Sequence, residues 1–158
     1  MDISETEKAY IAGFLDGEGN ITILARNRNI KRISYGLYVG FTNRDLRPLL
    51  AIKKKYGGNL FWKKRYSKKH SQAFELRIGN RKTVVDLLTD ALPYLMCKKE
   101  QAELGLAFLS LGKVKRLIIE RIVNCKGGTT AHLVAIEGEQ QVREEFKNKL
   151  MLLNKRGV

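Results

Sequence analysis

The apolar period of this chain switches from helical to alternating twice in succession, and few folds accept that order. Residues 4–17 read as a helix, with Ser4 as its N-cap, Glu7 three residues on, and Gly17 and Gly19 to end it. Ile21, Ile23 and Ala25 then alternate with Thr22, Leu24 and Arg26, and after the polar run 27–32 the alternation resumes at Leu37, Val39 and Phe41. That pattern predicts a β-hairpin with a basic tip. Residues 46–56 form a second helix, capped by Asp45 and closed by Gly57 and Gly58. A second hairpin follows, with strands at 59–66 and 72–79 joined by the hydrophilic run 67–71. The expected architecture is therefore α+β: an α-β-β-α-β-β core in which one antiparallel sheet carries its helices on one face.

Beyond that unit, Val84, Val85, Leu87, Leu88 and Leu92 make a helical stripe from Asn80 or Lys82 to Leu92, ending before Pro93. Another helix is expected from about Lys98 to Leu111, and a last amphipathic one over 139–154 through Val142, Phe146, Leu150 and Leu153. Residues 112–124 are helix or strand, since their periodicity does not decide, and 127–130 read as a loop. At 158 residues, with no composition break, the chain is expected to be a single domain, 1–158. No apolar run approaches the length of a bilayer span and the N-terminus carries no secretory signal, so the chain is expected to work inside a cell, in the cytoplasm or an organelle. Cys97 and Cys125 fit neither a disulfide framework nor a zinc site.

Charge is distributed unevenly. Residues 20–82 hold 17 Lys or Arg against two acids, Asp45 and Glu75, a net +15, although the whole chain carries only +14. An excess confined to the hairpin region builds a surface, and a polyanion such as nucleic acid is its natural partner. If Ile21, Ile23, Leu37, Val39, Phe41, Phe74, Leu76 and Ile78 point inward, period two sends Thr22, Leu24, Arg26, Arg28, Gly36, Tyr38, Trp62, Lys64, Tyr66, Ala73, Glu75 and Arg77 outward. Antiparallel ribbons fit the major groove of double-stranded DNA, where such side chains read base edges, while loop cations such as Lys31, Arg32, Lys68 and Lys69 hold phosphates.

The first helix ends in Tyr10-Ile11-Ala12-Gly13-Phe14-Leu15-Asp16-Gly17-Glu18-Gly19-Asn20. Ala9, Gly13 and Asp16 fall at i, i+4 and i+7 with Ala12 and Gly17 beside them, so one face is nearly bare backbone and would let a second helix approach closely. Glu18 sits just past the helix C-terminus, where free carbonyls make another carboxylate unwelcome unless a cation is present. A carboxylate with a backbone carbonyl suits Mg2+. Two such helices paired about a two-fold axis would bring one Glu18 from each subunit side by side. No His, Cys or Ser nucleophile arrangement is present; His70 and His132 lie in polar stretches.

This stretch resembles the LAGLIDADG motif, and the two hairpins, the Pro before a Lys-rich helix and the length resemble the single-motif, homodimeric branch of the LAGLIDADG homing endonucleases. The resemblance runs to about residue 111. It implies a saddle-shaped antiparallel sheet and a site-specific DNA endonuclease that makes double-strand cuts at a long, roughly palindromic target, for homing of a mobile intron or intein. It also implies catalysis with Mg2+ or Mn2+ and no membrane partner. By the same resemblance Glu18, in place of the Asp often found there, and the Gly17 carbonyl hold the metal. Lys98 is the catalytic lysine, Asn43 stands where a polar Gln orients water, and Ala9, Ala12, Gly13 and Asp16 form the dimer interface. Two other functions stay open on the residues: an RNA maturase of the same fold, and a catalytically silent DNA-binding protein.

Overall fold

The computed structural model describes residues 3–29, 32–63, 72–112, 116–123, 129–135 and 138–156, with backbone alone at 27–29, 32, 116–123, 129–135 and 156. In chain order the elements are α1 (Glu5–Glu18), β1 (Gly19–Asn29), β2 (Arg32–Asn43), α2 (Leu46–Tyr56), β3 (Asn59–Lys63), β4 (Ala73–Ile78), α3 (Arg81–Ala91), a 3₁₀ turn (Leu92–Tyr94), α4 (Lys99–Ser110), β5 (Arg116–Val123), β6 (Thr129–Ala135) and α5 (Glu139–Arg156). Local chemistry starts each of the first three helices. Ser4 Oγ accepts from the Glu7 amide at 3.3 Å while Glu7 returns a carboxylate to the Ser4 amide at 3.0 Å, a reciprocal capping box. Asp45 accepts from Arg47 N–H and Asn80 from Thr83 N–H. Gly57, at φ +67°, takes the left-handed turn that ends α2.

Four strands form one antiparallel sheet in the order β1-β2-β4-β3, so β2 and β4 are central and β1 and β3 are edges. The register aligns Ile21 with Val39, Ile23 with Leu37, Val39 with Ile78 and Phe41 with Leu76. These side chains are buried beneath Ile11 and Leu15 of α1, Leu49 and Ile52 of α2, Leu87 and Leu88 of α3 and Ala102 and Phe108 of α4, in one core. All of that packing lies on one face, and the expected α+β architecture with helices on one side is the architecture found.

In the C-terminal third one open alternative is decided and one expectation changes. Residues 116–123 are a strand, and Thr129 and Thr130 belong to its partner rather than to a loop, paired with Val123 and Ile122. A strand reading needs a neighbour to satisfy its backbone groups, and β6 is that neighbour. Helix α5 returns to the main body. Leu150 is buried, Asn154 Nδ2 donates to the Ile21 carbonyl at 2.9 Å, and Tyr35 OH donates to Glu144 at 2.9 Å. The buried Arg143 guanidinium donates to the Gly112 carbonyl at 3.2 Å and lies 5.7 Å from the Phe108 ring centre. Through the Asn154 bond α5 lies along β1, and through the other contacts it is fastened to β2 and to the end of α4. Among the described residues no helix is long and apolar enough to cross a membrane.

Two of the contacts that lock elements together are phenol to carboxylate. Burial, followed by the hydrogen bond to Glu144, pushes the Tyr35 hydroxyl up to about 12. Burial and the bond to Asp90 raise Tyr56 as well. A phenol raised when folded binds its proton more tightly in the native state, so its stabilisation is intact below the unfolded value of about 10 and lost as pH climbs through the folded value. Urea midpoints should therefore fall between about pH 10 and 12, and less steeply in Tyr35→Phe/Tyr56→Phe than in the parent. Parallel profiles for the two proteins would remove these phenols from the account.

Candidate functional site

Helix α1 presents two different faces. Ile11, Ala12 and Leu15 are buried in the core, while Ala9, Tyr10, Gly13, Gly17 and Glu18 are exposed. The open strip is thus Ala9, Gly13 and Gly17, at i, i+4 and i+8. Two expectations are corrected. Ala12, 0% exposed, packs inside its own chain, and Asp16 is turned toward the segment before α4, so neither belongs to the open strip. A methyl added at Gly13 or Gly17 would meet nothing within 4 Å, so nothing among the described residues demands glycine there. Each mid-helix glycine costs roughly 1 kcal/mol against alanine, a cost that a close external neighbour would offset.

At the C-terminal end of α1 three backbone amides converge on one carboxylate. Asp16 Oδ2 accepts from Met96 N–H at 2.8 Å and Cys97 N–H at 3.2 Å, and Oδ1 accepts from Lys98 N–H at 2.9 Å. In return the Lys98 ammonium donates to the Asp16 main-chain carbonyl. Glu18, the last residue of the helix rather than the first beyond it, stays exposed. Gly19 follows at once as the first residue of β1, its N–H donating to the Leu15 carbonyl. A Cβ on Gly19 would lie 2.4 Å from Leu15 Cδ1 and 2.6 Å from the Leu15 carbonyl oxygen, so only glycine allows the helix to run straight into the strand.

Because Gly19 opposes Phe41, Glu18 and Asn43 stand at the same end of the first hairpin. Asn43 has a structural task there: its Oδ1 accepts from Asp45 N–H at 2.9 Å and bends the chain into α2. It pairs with Phe74 and so shares the helix-side face with Phe41 and Leu76. Its amide nitrogen is the part left to act on a ligand.

On the opposite face the register gathers Thr22, Leu24 and Arg26 of β1, Gly36 and Tyr38 of β2, and Ala73, Glu75 and Arg77 of β4, as alternation implied. Strand β3 departs from expectation. Leu60 opposes Leu76 and Trp62 opposes Phe74, so Trp62 lies on the helix side of the edge strand, 75% exposed and 4.9 Å from the Phe74 ring. The residues β3 contributes to the outer face are Phe61 and Lys63, opposite Glu75 and Ala73. The physical reason is that Leu60, Phe61 and Trp62 are all apolar, which erases the alternation that would have fixed their parity. Only the partner strand restores it.

The outer face carries ordered cations. The Arg26 guanidinium lies 5.1 Å from the Tyr38 ring centre, and Arg77 lies 5.7 Å from Phe61 while bonding Glu75 at 2.7 Å. Lys63 Nζ reaches Thr42 Oγ1 at 3.3 Å, passing the small Ala73 side. Arg26, Tyr38, Phe61 and Arg77 help line an open cleft of about 470 Å³. Arg28 and Arg32 have backbone described but not side chains, and Lys31, Lys64, Tyr66, Lys68 and Lys69 lie outside the described residues.

A family model described as LAGLIDADG endonuclease matches residues 11–102. No curated protein matches the chain. Among solved structures, the homing endonuclease I-CvuI in complex with the I-CreI target, with magnesium present and the DNA not cleaved, aligns at TM-score 0.61 and 22% identity over 94% of this chain and 82% of its own. An archaeal intron-encoded homing endonuclease complexed with DNA aligns at TM-score 0.66 and 14% identity over 98% of this chain and 87% of its own. The homing endonuclease I-TnaI aligns at TM-score 0.53 and 26% identity over 70% and 74%. The first two run well past residue 111, so the fold likeness extends into the C-terminal third that the motif resemblance does not reach.

Trp62 is the single tryptophan and reports on the parity of β3. Acrylamide quenching of its fluorescence should change little when duplex DNA is added, whereas the swapped reporter Phe61→Trp/Trp62→Phe should become protected. Strong protection of the parent tryptophan would return Trp62 to the outer face.

Proposed function

The chain belongs to the LAGLIDADG endonuclease family, and from that premise we propose that residues 1–158 form one endonuclease domain. Two copies of it cut both strands of DNA at a long, roughly palindromic site, as homing of a mobile intron or intein requires. The observation that carries this reading is the position of Glu18: an exposed carboxylate at the C-terminal end of α1, directly continuous with the strand whose outer face is basic.

Glu18 and the Gly17 carbonyl are hard oxygen donors and suit Mg2+ or Mn2+. Among the described residues no group of three or more His, Cys, Asp or Glu could hold a metal ion. One chain therefore offers a partial donor set, and a second Glu18 brought up along the open Ala9-Gly13-Gly17 strip would complete it. A divalent cation bound there would lower the pKa of an attacking water and offset charge on the scissile phosphate. Lys98 adds a fixed positive charge at the same helix end, and Asn43 uses its free amide nitrogen to orient solvent. Thr22, Leu24, Arg26, Arg28, Tyr38, Lys64, Tyr66, Glu75 and Arg77 read base edges, with Phe61 and Lys63 in the place expected of Trp62. Lys31, Arg32, Lys68 and Lys69 hold phosphates and add salt-dependent affinity without sequence preference. An RNA maturase is favoured by no feature of α1 or of the sheet, and intron RNA binding without any metal-dependent DNA cutting would restore it.

With a plasmid library of long random or genomic inserts, linear product should require divalent metal and disappear with EDTA. Glu18→Gln should slow cutting by more than about 100-fold while gel-shift affinity stays close to the parent's. Equal loss of binding and cutting would sink the metal-ligand role.

Gly13→Leu should separate paired helices, giving monomers by sedimentation and no double-strand cutting. A tight, active Gly13→Leu dimer would put the interface elsewhere.

A further inference from the structure

We propose that Asp16 is a positioning residue whose carboxylate holds Lys98 at the metal end of the site, an inference that rests on the endonuclease reading above. Two helix ends meet at this point. Helix α4 begins at Lys99 with Lys98 as its N-cap, and no side chain of its own segment caps it. The segment that leads into it is held from outside by Asp16, which takes the Met96, Cys97 and N-cap Lys98 N–H groups at 2.8, 3.2 and 2.9 Å, with its negative charge beside the electropositive helix start. The C-terminal end of α1 has no basic residue in its last turn, and the cation it lacks arrives from α4 as the Lys98 ammonium on the Asp16 carbonyl. Lys98 is thus tied at both ends to a single residue, through its amide and through Nζ.

That double tie restricts the ammonium to the carbonyl next to Gly17 and two residues from Glu18. A long lysine side chain with a free backbone would sample many rotamers, and catalysis by fixed charge loses its advantage when the charge must reorganise. Asp16 commits three acceptor positions to these amides and is half-buried, whereas Glu18 is exposed, which separates the two roles. It touches neither DNA nor metal in this assignment and acts through Lys98.

The test is a double-mutant cycle of Asp16→Asn and Lys98→Met, read by single-turnover cleavage with metal and by DNA affinity. Asp16→Asn should lower the cleavage rate by about tenfold or more with affinity within about threefold of the parent. The double variant should be no slower than Lys98→Met alone. In the metal-free protein without DNA, hydrogen exchange in Asp16→Asn should accelerate at the Met96, Cys97 and Lys98 amides while the central strands keep their protection. Independent, multiplicative losses would overturn the proposal, because Asp16 would then act by a route that bypasses Lys98. A fully active Lys98→Met would overturn it as well, while metal- and Glu18-dependent cutting would keep the nuclease reading intact. Should Asp16→Asn fail to fold, Asp16→Glu keeps the charge but displaces it by one methylene and takes its place in the same cycle, with the same two overturning results.

Discussion

The site depends on a junction without a linker. Helix α1 ends at Glu18 and β1 begins at Gly19, with the Gly19 amide still bonded to the Leu15 carbonyl as the chain becomes a strand. No Cβ fits at that turn, because Leu15 occupies the space. The consequence is geometric: Glu18 and strand β1 form one rigid piece. Ile11, Ala12 and Leu15 hold the helix half in the core, and Ile21 and Ile23 hold the strand half. A site built on regular elements gripped from both sides keeps its side chains within the narrow tolerances that catalysis requires.

The sheet converts the same period into a division of labour. Every second residue of β1, β2 and β4 is committed to the helices, and the alternate set is left to carry arginines, tyrosine and a glutamate. Arg26 over Tyr38 and Arg77 over Phe61 are stacked on aromatic rings, which orders the guanidinium planes before any partner arrives. The aromatic and apolar content of this face would be costly on a surface with no other task, and it is compatible with base edges and thymine methyl groups. At the far edge, α5 is bonded to β1 through Asn154 and to β2 through Tyr35, so the strand that begins beside Glu18 is not free to fray.

How much of this was legible beforehand varies with the range of the interaction involved. The capping box at Ser4 and Glu7, the Asp45 cap and the glycines after α2 were readable because their partners lie two to four residues away. The alternation of β1 and β2 was readable because apolar residues recur at every second position with mostly polar ones between them. It was not readable in Leu60-Phe61-Trp62, where three apolar residues in a row fit either parity, and Trp62 was assigned to the wrong face. In α1 the period identified a small-residue helix, but alanine suits a core as well as an interface, and nothing local distinguished Ala12, which is buried, from Ala9, which is open. Residues 116–123 were ambiguous for a related reason: a strand is defined by its neighbour, and β6 lies beyond a turn.

The amino-acid sequence by itself determined the order of elements, the helix starts, the basic segment and the glutamate at the end of a glycine-bearing helix, since short-range hydrogen bonds, side-chain period and summed charge are properties of contiguous residues. Only the tertiary structure decided that Asp16 receives amides from 80 to 82 residues away, that Lys98 answers it, and that Phe61 and Lys63 rather than Trp62 share the outer face with Arg77. Those outcomes follow from strand register and from which helix ends meet, and both are selected by the packing of the whole core.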